Sequence, residues 1–198
     1  MNNCYLDAEA VITFFRMTGR KHIFITGSRG SGKSHLVNNM LKYMSDSFNL
    51  LQSHRTDTPQ VVIRSNLVAD NKEFVIGVPR TSGINPASKG NNMTIIEDGF
   101  INCAIPAIDT HLDTTPERLF VIDELGYLES SCIPFQKAVE KLLDNSHVLA
   151  VIRKQSTEFL NRICNRKDVL VIDIDSTFET LSCIIMASGM SKRFGSNK

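Results

Sequence analysis

His22-Ile23-Phe24-Ile25-Thr26-Gly27-Ser28-Arg29-Gly30-Ser31-Gly32-Lys33-Ser34 is the stretch that decides the fold. Its first five residues form a compact β-branched and aromatic run that stops at a glycine, the pattern of a buried strand. From Gly27 the chain reads Gly-x4-Gly-Lys-Ser without a mismatch. Residues 33–45 then carry Leu36, Val37, Met40, Leu41 and Met44 on one helical stripe, so the loop joins a strand to a helix. That context gives each residue type a purpose. Glycines let the backbone curl until successive N–H groups face an anion, and the positive end of the helix dipole adds to the field. Lys33 can reach the β- and γ-phosphates of a nucleotide, and the Ser34 hydroxyl can bind Mg²⁺. Gly27, Ser28, Arg29, Gly30, Ser31, Gly32, Lys33, Ser34 and His35 are therefore the candidate nucleotide-binding residues, with His35 expected on the helix surface.

A second signal lies about ninety residues further on. Leu119-Phe120-Val121-Ile122 reads as a strand that delivers Asp123 and Glu124 to its carboxyl end, where open α/β sheets bind ligands. Phosphoryl transfer needs a carboxylate near the metal, which makes Asp123 the second candidate metal residue beside Ser34. Glu124 can deprotonate an attacking water, and the candidate catalytic set is Lys33, Glu124 and Arg153. Arg153 ends the next parallel strand and could neutralise charge developing on the γ-phosphate, although a surface ion pair is an equal reading. Glu129 could help arrange the site or be an exposed loop acid.

The remaining chain fills in the architecture. Residues 5–17 are loosely helical. Val61–Ile63 and Phe74–Ile76 read as strands around the polar turn Asp70-Asn71-Lys72, an antiparallel hairpin inserted after the first β-α unit. Residues 80–92 read as a mobile loop, and 98–112 as a helix interrupted by Pro106. From residue 119 onward strands alternate with helices at 134–144 and 156–164, with further strands at 148–152 and 169–174. The expected fold is α/β: a mainly parallel sheet with helices on both faces and an inserted hairpin.

Bulk properties exclude several classes. With 22 basic and 21 acidic residues the net charge is +1, which argues against nucleic acid or an anionic membrane as partner. Five widely spread cysteines, Cys4, Cys103, Cys132, Cys164 and Cys183, contain no Cys-x-x-Cys pair and read as reduced thiols of a cytoplasmic protein. No signal peptide and no membrane-length apolar run is present in the sequence.

Val121-Ile122-Asp123-Glu124-Leu125-Gly126-Tyr127-Leu128-Glu129 resembles the Asp-Glu-Ile-Gly-x-Met-Glu segment of the small P-loop nucleoside-triphosphatases first noted in thermophiles and also found in animals. Phe135-x-x-Ala138-Val139 and Asn165-Arg166-Lys167-Asp168-Val169 are similar to later segments of that family, so the resemblance spans roughly residues 20–175. It implies a P-loop NTPase fold and hydrolysis of ATP, GTP and other triphosphates with loose base preference. Two departures stand out. Leu50-Leu51-Gln52-Ser53-His54-Arg55 replaces the family's Gly-Phe-Tyr/Phe-Thr segment and its arginine, and Phe178-Glu179 replaces a late Asn-Arg.

The tail is different in kind. Ile184–Met186 followed by Gly189-Met190-Ser191-Lys192-Arg193-Phe194-Gly195-Ser196-Asn197-Lys198 resembles the opening Gly-x-Ser-x-Arg-Phe-Gly-x-x-Lys signature of molybdopterin-type nucleotidyltransferases. The expected division is a nucleoside-triphosphatase domain over 1–180 and the start of a nucleotidyltransferase-like domain over 181–198, within a longer protein linked to molybdenum-cofactor synthesis. Three activities remain open: a Mg²⁺-dependent triphosphatase, a small-molecule kinase, for which the loop 80–92 offers Arg80 and Lys89 but no convincing lid or acceptor pocket, or a nucleotide-sensing module without turnover.

Overall fold

The computed structural model describes residues 6–44, 47–68, 72–80 and 93–176. Its centre is five parallel strands: β1 (His22–Gly27), β2 (Phe48–Arg55), β6 (Leu119–Leu125), β7 (His147–Arg153) and β8 (Val169–Asp173). β3 (Val61–Ser65), β4 (Phe74–Pro79) and β5 (Met93–Ile95) extend it antiparallel, and the full order is β5-β4-β3-β2-β6-β7-β1-β8. The expected hairpin is therefore β3–β4. It grows from β2, a strand the sequence did not announce, and continues into β5 as a meander.

Period-two alternation splits the strands between two apolar layers. Ile23 and Ile25 of β1, Val121 of β6 and Leu149 and Val151 of β7 face one layer. Helices α1 (Ala8–Thr18) and α2 (Lys33–Met44) close that layer through Val11, Leu36, Val37 and Met40. Phe24, Phe120, Ile122, Val148, Ala150 and Ile152 face the other layer. There they meet Phe135, Val139 and Leu142 of α5 (Ile133–Asn145) and Phe159, Leu160 and Ile163 of α6 (Glu158–Cys164). A strand apolar on both faces is the mark of a sheet covered on both sides.

Pro106 does not break its helix. The segment runs from α3 (Glu97–Gly99) through a π-helical stretch, Phe100–Ala104, into α4 (Ile105–Thr114), whose first turn holds the proline. A proline costs a helix interior its i→i−4 bond and clashes with the preceding turn, whereas a first-turn position and a π-bulge both relieve this. At the end of the sheet opposite the glycine-rich loop, a buried polar clip links β2 to α4 and to Ser146, just before β7. Asn49 Nδ2 donates to His111 Nδ1 (2.8 Å) and to Thr115 Oγ1 (2.8 Å), His111 Nε2 meets Ser146 Oγ (2.6 Å), and Ser146 donates to the Pro116 carbonyl (2.8 Å). Burial holds the His111 imidazole below its ordinary pKa, so it packs neutral.

No helix among the described residues is long and apolar enough to cross a membrane. The tail 181–198, Phe178-Glu179, Cys4, Cys183, Asp70-Asn71 and the loop beyond Arg80, including Lys89, lie outside the described residues.

Candidate functional site

The carboxyl ends of β1, β7, β6 and β2 stand side by side along one edge of the sheet, and a cleft of about 840 Å³ runs across them. At one end lies the loop Gly27–Gly32, placed by β1 and closed by the first turn of α2. Gly30 and Gly32 adopt φ of 78° and 93°, backbone that glycine takes at little cost. Lys33 Nζ donates to the carbonyls of Gly27 (2.9 Å) and Ser28 (2.8 Å), folding its ammonium back over the loop. A side chain at Gly27 would stand 2.8 Å from Ser31 Oγ, so any other residue there would push the Ser31 hydroxyl aside.

Asp175, just past β8, tethers the loop from outside. Its Oδ2 accepts the Ser28 amide (2.8 Å) and its Oδ1 the Ser28 hydroxyl (2.9 Å). Lys154 Nζ bridges Asp175 (3.0 Å) and Asp173 (2.9 Å), and together Lys154 and Ser28 hold the Asp175 carboxyl below its ordinary pKa.

The end of β6 departs from regular pairing. Ile122 pairs with Ala150, but Leu125 pairs with Ile152, so β6 carries one extra residue over this step. Such a bulge re-aims side chains that strict alternation would send to opposite faces. Glu124 sits in it with φ of 79°, and among the described residues it alone takes a positive φ without being glycine. That conformation costs an L residue on the order of 1–2 kcal/mol, and strain of this kind concentrates at functional sites. The Glu124 carboxylate accepts from Arg153 Nε across to β7. Asp123 lies beside it, where its Oδ2 accepts from Gln52 Nε2 (2.9 Å), and Arg64 in turn donates to Gln52 Oε1 (2.8 Å).

Behind Glu124 lies Glu129, 6% exposed, whose Oε2 accepts the Gly126 amide (2.9 Å). Burial pushes its carboxyl pKa up. Beyond Glu124 the cleft continues to Tyr127, His54 and Arg55. His54 pairs with Glu73 (3.2 Å), and burial raises the Tyr127 phenol, against the pull of Arg153, Arg55 and Arg80.

The structure thus brings Gly27, Ser28, Arg29, Gly30, Ser31, Gly32, Lys33, Ser34 and His35 to one cleft with Glu124 and Arg153. Arg29, Ser34 and His35 are exposed there, and His35 Nε2 meets Asn39 Nδ2 (3.0 Å) one helical turn on. Arg153 and Glu124 form an ion pair, the contact that the ion-pair reading of Arg153 expected. Asp123 does not line the cleft wall; its neighbour in the sheet is Gln52.

Among the described residues, no three His, Cys, Asp or Glu side chains converge as a self-sufficient metal cage. The donors present suit a different arrangement. Mg²⁺ takes one or two protein oxygens and completes its shell with water and substrate phosphates, which Ser34 and Asp123 can provide. Ser31 Oγ, buried with no hydrogen-bond partner, marks a polar position inside the loop wall.

Sequence reading missed Asp175, Lys154 and Gln52. Asp175 and Lys154 each follow a strand at its carboxyl end, and the rule that placed Asp123 would have flagged them. Gln52 had no signal, because its strand was not recognised.

Comparison with known proteins gives the family. The family model described as NTPase matches residues 22–179. Nucleoside-triphosphatase THEP1 of Thermotoga sp. (strain RQ2) is 24% identical over 154 residues, covering 77% of this chain and 86% of that protein. Its counterpart in Thermotoga maritima is 23% identical over the same length. Among solved structures, THEP1 from the hyperthermophile Aquifex aeolicus superposes with a TM-score of 0.60 at 18% identity, over 81% of this chain and 96% of that one. A human cancer-related nucleoside triphosphatase superposes with a TM-score of 0.57 at 20% identity, over 90% of this chain and all of that one. With a glycine-rich loop and Glu124 lining one cleft, and a family match running from β1 past β8, this chain belongs to the NTPase family.

Proposed function

We propose that this protein is a Mg²⁺-dependent nucleoside-triphosphatase that releases the γ-phosphate of ATP, GTP and related triphosphates. The observation that carries the reading is the strained Glu124, held in the same cleft as the glycine-rich loop and ion-paired to Arg153. A carboxylate at that place is suited to take the proton of a water whose oxygen attacks the γ-phosphorus while the bond to the β-phosphate oxygen breaks. The loop amides bind the phosphate oxygens, and Lys33 leaves its two carbonyl partners for the β- and γ-phosphates. Arg153 stabilises charge on the transferring group. Ser34 and Asp123 would hold Mg²⁺, which when bound neutralises charge between the β- and γ-phosphates.

Phosphate release from ATP, GTP and CTP with Mg²⁺ tests this. Lys33→Ala should lose nucleotide binding and turnover together, whereas Glu124→Gln should bind nucleotide and fail to turn over. Full turnover by Glu124→Gln would refute the assignment.

One observation favours a second reading, phosphoryl transfer to a small acceptor. The cleft extends beyond Glu124 to His54 and Arg55, leaving room past the γ-phosphate. Release of phosphate at the same rate as loss of ATP, with no phosphorylated acceptor from a metabolite extract, would rule it out. The Gly189–Lys198 run supports a further link to nucleotidyl transfer in a longer protein. A native mass of 22.1 kDa would count against that link.

A further inference from the structure

We propose that Glu129 and Ser130 are positioning residues that hold Glu124 in its left-handed backbone by gripping both polar groups of Gly126. The inference rests on the hydrolytic role given to Glu124. Strained backbone persists only where its surroundings over-determine it, and the Glu124 side chain cannot supply that, since its contact is to Arg153 across the sheet. The constraint comes from the turn that follows. Glu129 Oε2 accepts the Gly126 N–H (2.9 Å). The Gly126 carbonyl accepts twice from Ser130, from its hydroxyl (2.6 Å) and its amide (3.0 Å). The peptide on each side of Gly126 is therefore pinned, and Leu125, between Glu124 and the pinned residue, is fully buried.

The clamp is itself anchored. Ser130 Oγ spends its proton on Gly126, so the Thr157 hydroxyl at 2.9 Å must donate to it. Thr157 also caps α6 by accepting from the Leu160 amide (3.1 Å). Gln136 of α5 donates to the Ser130 carbonyl (2.8 Å). Two helices thus steady one turn. Arg153 packs on the same turn: a Cβ at Gly126 would lie 3.4 Å from Arg153 Cδ and 3.5 Å from Glu129 Oε2. One clamped residue consequently sets the backbone of Glu124 and the seat of its ion-pair partner. Glu129 takes this place although it is a buried acid, a costly group to keep unless it is used.

The test is steady-state ATP hydrolysis with nucleotide affinity measured separately. Glu129→Ala should lower kcat by up to about 100-fold, the penalty of misplacing a reacting group by roughly 1 Å, while KM and nucleotide affinity stay put because the glycine-rich loop is untouched. Glu129→Gln keeps an acceptor oxygen and should restore most of kcat. Ser130→Ala should lower kcat less than Glu129→Ala, again at constant KM. Glu129→Ala placed on Glu124→Gln should cost less than Glu129→Ala alone, since the base it positions is already gone and only the seat of Arg153 remains to be lost. Normal kcat in a folded Glu129→Ala, a Gln variant as impaired as Ala, or kcat and KM moving together would each overturn the proposal. Should Glu129→Ala fail to fold, Ser130→Ala decides: unchanged kcat overturns the clamp, and a kcat loss at fixed KM supports it. Full activity in Glu124→Gln would remove the hydrolytic reading and the clamp with it, whereas an inactive Glu124→Gln beside a normal Glu129→Ala removes the clamp alone.

Discussion

The two walls of the cleft reach unusual backbone by opposite means. On the β1 side the loop turns through Gly30 and Gly32, at φ of 78° and 93°. No side chain opposes the conformation there, and the residues that need it are the ones that permit it. On the β6 side a similar φ of 79° is imposed on Glu124, a residue that resists it. Side chains from the following turn and the helices behind it impose that geometry. The first wall is a local solution written in contiguous residues. The second is a tertiary solution, in which a carboxylate stands where glycine would have been easier.

The widest separation between the walls should come from exchanging their residue types. Glu124→Gly should abolish turnover, a loss of roughly 10²–10⁴-fold for a general base. It should also raise stability by about 1 kcal/mol, the relieved strain less the added freedom of a glycine in the unfolded chain. Gly30→Ala is the mirror case. A Cβ there meets nothing within 4 Å, so its cost of about 1 kcal/mol is backbone strain alone. Denaturant midpoints of both variants read the signs, and two changes of the same sign would break the comparison.

A second effect separates the feet of the walls. His22 begins β1, fully buried with its Nε2 3.4 Å from Asp168 Oδ2. Burial outweighs that carboxylate and pushes the imidazole down to about 4. The folded state therefore disfavours the proton that the unfolded chain accepts near pH 6.5. Stability should be complete above that value and fall as pH drops from 6.5 toward 4, by up to about 3 kcal/mol. Equilibrium unfolding of His22→Gln should show a flatter acid limb than the parent. An unchanged limb would place the acid sensitivity elsewhere, with His111 the first alternative because burial lowers it too.

The smallest change should come from the tether on the glycine wall. Asp175→Asn keeps an oxygen for Ser28 but loses the charge that pairs with Lys154. Because this tether is solvent-exposed and the loop geometry is already local, KM should rise modestly with kcat unaltered. A kcat loss matching that of Glu129→Ala would mean that the two walls are coupled more closely than their construction suggests.

Legibility followed the same division. The strands β1, β6 and β7 are continuous apolar runs, readable because both faces are buried; β8, at the sheet edge with Val171 exposed, was readable from its β-branched run alone. β2 was not. Its second half, Gln52-Ser53-His54-Arg55, is polar because it borders the cleft and pairs with β3 at the sheet's half-exposed side. That polarity hides the apolar signal that marks a strand. Pro106 misled for a related reason: a π-helical turn absorbs the proline, and no local rule foretells that turn.

Residue identity alone marked out the glycine-rich loop, the Asp123-Glu124 pair and the layered α/β plan, since each depends on neighbours within a few positions along the chain. Packing alone settled the partners. Glu124 meets Arg153, Asp123 meets Gln52, and Asp175 meets Ser28, contacts spanning 29, 71 and 147 residues. Strand order decides such pairings, and it places β7 between β1 and β6 so that Arg153 stands between the loop and the carboxylates. No short-range pattern encodes that order, because the free energy that selects it comes from burying both sheet faces at once.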